Sequence, residues 1–253
     1  MKRAIIVCFL YQICIYANAQ ITLSGRVMGA DSLAVSYATI FVKKTGTGCF
    51  SDSSGYFSLH LPSHFNAVNI QALGYKSVDI PVKEGDQYLT IYLDIEQVQL
   101  KEVVIKPGKF KSSSLVIKPG KKSKGELKAC SEYAYQCGLY FPNEAHTAGE
   151  IQKIGVWLEN EYLENAIFRL RVYTVDNTFK PDEDLLLENV LIYLPRSDKT
   201  ILKEIDISPY GISIPENGVV IAVEWLKLPE NKYSYTYAYN KKEVVRQCFG
   251  PVL

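Results

Sequence analysis

Asp52-Ser53-Ser54-Gly55-Tyr56-Phe57-Ser58-Leu59-His60-Leu61 decides how the first half of the chain is read. An aspartate at the head of such a stretch accepts hydrogen bonds from backbone amides two residues on, and glycine takes the positive φ that closes a tight turn. Behind the turn, Phe57, Leu59 and Leu61 alternate with Tyr56, Ser58 and His60. That period of two marks a strand with one face in a core and one in water.

Outward from this strand, short β-branched and aromatic runs recur, each closed by Gly, Pro, Asn or Asp: 21–27, 37–43, 56–61, 68–73, 77–82, 88–93 and 98–105. Their spacing predicts an all-β sandwich of seven strands. In Thr39-Ile40-Phe41-Val42 the apolar run is nearly continuous, as in a strand covered on both faces.

The frame Gly25-Arg26-Val27, Ala38-Thr39-Ile40-Phe41-Val42, Gly48, Asp52 to Phe57 and Leu73-Gly74-Tyr75 resembles the carboxypeptidase regulatory-like (transthyretin-like) domain. The proline usual before the Ala-Thr strand is replaced by Val35-Ser36. The resemblance implies a small Greek-key sandwich, an accessory module common in exported proteins of Gram-negative bacteria. Asp52, Gly55, Phe57, Gly74 and Tyr75 are then scaffold residues. In outer-membrane receptors the domain ends near a segment that engages TonB, and Leu100-Lys101-Glu102-Val103-Val104-Ile105 is similar to it. No series of long alternating strands for a transmembrane barrel follows, so active transport by this polypeptide is not expected.

Lys2 and Arg3, the apolar stretch 4–16 and Ala17-Asn18-Ala19 have the order of a signal peptide cleaved before Gln20. About 13 apolar residues are too few to span a membrane. Export to the periplasm, the outer membrane or beyond is the expectation. Removing Lys2 and Arg3 takes the 28 basic residues to 26 against 27 acidic ones, a net charge near −1. Such a balance gives no field for nucleic acid. Residues 20–107 form the expected first domain, and 108–125, with the repeated Val-Ile-Lys-Pro-Gly-Lys, a basic linker.

In residues 126–253 alternation returns over 133–140, 151–158, 166–173, 190–194, 201–207, 219–225, 233–239 and 243–248, and predicts a second, jelly-roll-like sandwich. Its sequence resembles uncharacterised C-terminal domains that accompany regulatory-like domains, a likeness that assigns no activity. No nucleophile elbow, zinc-protease helix, phosphate loop or dinucleotide fingerprint occurs. No enzyme activity, cofactor or metal is therefore expected. His60, His64 and His146 read as surface or turn residues, and the acidic run around Asp176 to Asp184 as a solvated loop. Glu224 is the nearest thing to a catalytic acid in the competing reading, a glycan hydrolase.

An exported chain can form disulfides, and Cys130 or Cys137 is expected to pair with Cys248, leaving Cys49 over. The strand 154–158 puts Trp157 opposite its core face, and the same alternation sends Arg169, Arg171 and Tyr173 outward. These four are the candidate binding surface for a glycan or protein partner, with Arg over the indole. Tyr233, Tyr235, Tyr237 and Tyr239 share one strand face and form a second aromatic candidate. Mass spectrometry of the exported protein should find Gln20 at its N-terminus; retention of residues 1–19 would contradict the signal-peptide reading.

Overall fold

The computed structural model describes residues 20–62, 65, 67–83, 85, 87–96, 116, 134–143, 146, 148–240 and 242–249. The expected signal peptide, the linker 108–125 apart from Val116, the strand 98–105 with its TonB-like segment, His64 and Cys130 lie outside the described residues. The chain divides into two compact units at Ile95/Glu96.

Unit one is a sandwich of two sheets. Strands β1 (Gln20–Gly29), β4 (Tyr56–Pro62) and β7 (Gln87–Leu93) form a three-stranded sheet in the order β4-β1-β7. The second sheet has the order β3-β2-β5-β6, with β2 (Thr39–Phe41), β3 (Gly48–Phe50), β5 (Ala67–Gln71) and β6 (Val78–Pro81). The strand at Gly48–Phe50 is additional to the sequence reading, because three residues are too short to show a period. Leu23, Phe57, Leu61 and Leu93 from one sheet meet Ile40 and Ile70 from the other in one core. On β2, Ile40 is buried while Thr39 and Phe41 are half-buried, so its outer face is only partly covered.

Two glycines fix this arrangement. Gly25 lies opposite Leu89 in the parallel pairing of β1 with β7, and a Cβ there would stand 2.0 Å from the Leu89 carbonyl oxygen. Only glycine lets the two backbones approach. Gly55 has φ +82°, and a Cβ would meet the Val27 carbonyl oxygen at 2.5 Å. Asp52 Oδ1 accepts from Ser54 N at 2.8 Å and Tyr56 N at 2.9 Å, which holds the turn and sends Phe57 into the core. Gly74 also has positive φ (+77°), and Tyr75 behind it packs against the core.

Unit two, within the described residues, is a five-stranded sheet with a separate hairpin. The sheet runs β10-β9-β12-β8, with β11 also paired to β9. Its strands are β8 (Gln136–Phe141), β9 (Lys153–Val175), β10 (Pro181–Asp184), β11 (Val190–Asp206) and β12 (Val219–Trp225); the hairpin is β13 (Lys232–Tyr239) and β14 (Lys242–Phe249). Four expected strands are here two long ones. The expected strands leave gaps at 159–165 and 195–200, but there the pairing only shifts register. The fully buried Asn160 replaces the missing ladder: Nδ2 donates to Leu163 O at 3.0 Å and Leu194 O at 2.8 Å, and Oδ1 accepts from Leu163 N at 3.1 Å. A side-chain amide thus staples a bulge that composition alone marks as a break.

Gly25→Ala should destabilise the protein by about 2 kcal/mol or more in urea unfolding, because the obstructing atom is backbone and cannot rotate away. Gly149→Ala, whose Cβ would meet only Ile214 Cδ1 at 3.8 Å, is the control and should change little.

Candidate functional site

The centre of the β9–β12 ladder carries charge. Arg169 faces Glu224 across it, and Arg171 faces Ala222. Both arginines were expected at the surface. Instead Arg169 is 3% exposed, with Nε 2.6 Å from Glu224 Oε2 and Nη1 2.9 Å from Asn189 Oδ1. Alternation along β9 fixes the face of a residue but not what lies beside it, and here a carboxylate on the neighbouring strand takes the guanidinium inward.

Arg171 extends the network. Its Nε lies 2.9 Å from Asp184 Oδ2 and 3.8 Å from Glu224 Oε2. The single Nε hydrogen goes to Tyr173 OH at 2.9 Å, and that hydroxyl donates to Gln136 Oε1 at 2.8 Å. Asp184 Oδ2 therefore takes charge from Arg171 but accepts no hydrogen bond among the described residues. Burial pushes the Asp184 carboxyl above its ordinary range, against the pull of Arg171. Every charge in the group has an opposite charge at its side, as buried ions require. Glu224, the acid of the hydrolase reading, is held in an ion pair.

Trp157 is apart from this. Twelve residues of β9, with the register shifts around Asn160 among them, separate Trp157 from Arg169. The indole is 58% exposed, directly opposite Leu202, which is 43% exposed. Neither arginine lies over it; the Arg171 guanidinium sits 5.5 Å from the Tyr173 ring instead. The four nominated residues do not form one surface. The other tryptophan, Trp225, is in the core at 1% exposure, stacked on Tyr135 at 4.4 Å.

The tyrosines of β13 do form a continuous feature. Tyr162, from the bulged part of β9, stacks on Tyr233 at 4.7 Å and meets the edge of Tyr235 at 6.0 Å. Tyr235 stacks on Tyr237 at 5.9 Å, and Arg246 of β14 stands 5.4 Å from the Tyr237 ring centre. The ladder emerges from the core by degrees: Tyr233 is buried, Tyr235 and Tyr237 are half-buried and Tyr239 is exposed. Tyr162 was not singled out in the sequence, since its neighbours Glu161 and Glu164 make its segment look like a polar turn.

Cys248 is buried and disulfide-bonded, to a partner outside the described residues. Cys137, on β8, is a free thiol packed against the same core as Cys248, so it is not that partner. Cys49 also carries no disulfide. In the acidic loop Asp176 Oδ1 accepts from Thr178 N, Thr178 Oγ1 and Lys180 N, which closes a turn, while Asp184 points inward. No group of three or more potential metal ligands occurs among the described residues.

The parallel β1–β7 contact at Gly25 and the Asp52–Gly55 turn belong to a known module. Residues 23–105 match the family model of the CarboxypepD_reg-like domain. That match covers about a third of the chain and is to a domain without catalytic function. A search of the curated proteins gives no match. Among solved structures the chain aligns with a DUF3823 family protein from Bacteroides ovatus, at 12% identity over 93% of this chain and 97% of that one, with a TM-score of 0.24. A likeness at that level carries no inference. No helix among the described residues is long and apolar enough to cross a membrane.

A cycle of variants tests the charged ladder. Arg169→Met alone should cost about 3–5 kcal/mol, because it strands a buried carboxylate, whereas Arg169→Met with Glu224→Leu should cost far less than the sum of the singles. Burial pushes the Tyr233 hydroxyl up to about 12 from an ordinary 10.0. The folded state thus holds that proton more tightly than the unfolded chain, a contribution complete below pH 10 and lost as pH rises towards 12. Ultraviolet titration should show this tyrosine ionising late, and its ionisation near its ordinary 10.0 would contradict the buried ladder.

Proposed function

We propose that this is a non-enzymatic exported protein of the bacterial envelope, in which the first unit is an accessory module and the second binds a glycan through the β13 ladder. The carrying observation is the graded stack of Tyr162, Tyr233, Tyr235 and Tyr237 with Arg246 beside it. Its buried end holds the rings in place, so little side-chain freedom is lost when a ligand binds. Its open end offers ring faces to the apolar C–H surface of a sugar, with a guanidinium near to bond hydroxyls. The pairing of Glu224 with Arg169 at 2.6 Å supports binding over hydrolysis, since that carboxylate is held in a buried ion pair. The signal-like N-terminus and the regulatory-like domain support the envelope setting.

Calorimetric titration of the mature protein with a panel of oligosaccharides should give binding that Tyr237→Ala weakens tenfold or more, with no reducing ends released. Reducing ends produced by the wild type and lost in Glu224→Gln would replace this reading with a hydrolase.

A further inference from the structure

Cys248 is fully buried and disulfide-bonded, and elimination names its partner. The cysteines of the chain are Cys8, Cys14, Cys49, Cys130, Cys137 and Cys248. Cys49 and Cys137 carry no disulfide. Cys8 and Cys14 fall in the stretch read as a cleaved signal peptide, which leaves Cys130. We propose that Cys130 and Cys248 form a disulfide that latches the β13–β14 hairpin to the second unit, so that the tyrosine ladder is in place only in the oxidised protein. The consequence for sugar binding rests on the ladder reading above; the bond and the latch do not.

The hairpin needs such a tie. Among the described residues β13 and β14 pair only with each other, and a two-stranded hairpin alone is at best marginally stable in water. β13 is fastened at its start by the buried Asn231. Its Oδ1 accepts from Ile167 N at 2.9 Å, and its Nδ2 donates to Ile167 O at 2.7 Å and Leu226 O at 2.8 Å. β14, among the described residues, makes hydrogen bonds only to β13, and Cys248 is where it enters the core. Cys248 lies directly opposite Tyr233, the buried end of the ladder, on which Tyr162 stacks. Releasing β14 at this point unseats the ring that anchors the stack. Forming the bond takes two electrons and two protons from the pair of thiols; a disulfide donor in an oxidising compartment accepts them and leaves as two thiols. The ladder is thus completed only after export to such a compartment.

The test begins with the full mature protein, its thiols blocked with iodoacetamide and the chain digested without reduction. A crosslinked peptide pair holding Cys130 and Cys248, lost after dithiothreitol, is expected. An alkylated Cys248, or Cys248 joined to any other cysteine, would overturn the assignment. Hydrogen exchange read by mass spectrometry then compares wild type with Cys130→Ala/Cys248→Ala. Amides of β13 and β14 should exchange about tenfold faster or more in the variant, while those of β9 and β12 keep their rates. Equal protection of the hairpin would overturn the latch; if the variant does not fold, wild type reduced with dithiothreitol takes its place in the comparison. Oligosaccharides bound by the oxidised wild type should bind the variant tenfold more weakly or worse, and unchanged affinity would overturn the dependence of the ladder on the bond. A panel that does not bind at all removes the ladder reading, and the mapping and the exchange still decide the bond and the latch.

Discussion

A guanidinium and a carboxylate withdrawn into the middle of a sheet are costly unless they meet, and in the second unit Arg169 and Glu224 meet at 2.6 Å with both side chains nine-tenths buried or more. This contact ties β9 to β12, the two strands through which the rest of the five-stranded sheet is joined. Asn189 takes a further bond from Arg169, and Arg171, 3.8 Å from Glu224, carries the network on to Asp184, Tyr173 and Gln136. The opposite face of the same strands is apolar, with Phe168, Leu170 and Trp225 fully or almost fully buried. One face thus stabilises by exclusion of water and the other by matched charge.

That division shapes the functional reading. A general acid must have a proton to release near the operating pH, whereas Glu224 is held in a buried ion pair with Arg169 at 2.6 Å. Among the described residues, the emerging end of the β13 ladder is aromatic and hydroxyl-bearing, with Tyr235 and Tyr237 half-buried and Tyr239 exposed. Tyrosine fits a sugar-binding role because its body is apolar and rigid while its tip bonds to water or to sugar hydroxyls.

How much was legible in the sequence depends on whether the deciding contact is local. The Asp52 turn, the alternation of 56–61 and the burial of Trp225 are set within a few residues, and a period of two or a turn glycine records them. Arg169 was misplaced because its partner is on a strand that joins β9 only through tertiary pairing. Asn160 hid the continuity of β9 for a related reason: as a polar residue between charged neighbours it looks like a turn, and its role appears only when Leu194 of the paired strand is in place. The Tyr233 to Tyr239 face was legible as a face. That Tyr162 completes it was not, because it comes from a bulge whose geometry no local pattern encodes.

The most direct test of a binding protein built on the β13 tyrosine ladder is backbone NMR of the isotope-labelled mature protein during addition of an oligosaccharide that it binds. Shifts confined to β13, β14 and the Tyr162 segment of β9, with those around Arg169 and Glu224 unmoved, are the predicted result. Shifts centred on Glu224, Asp184 and Arg171, with cleavage of the sugar over the course of the titration, would contradict the account.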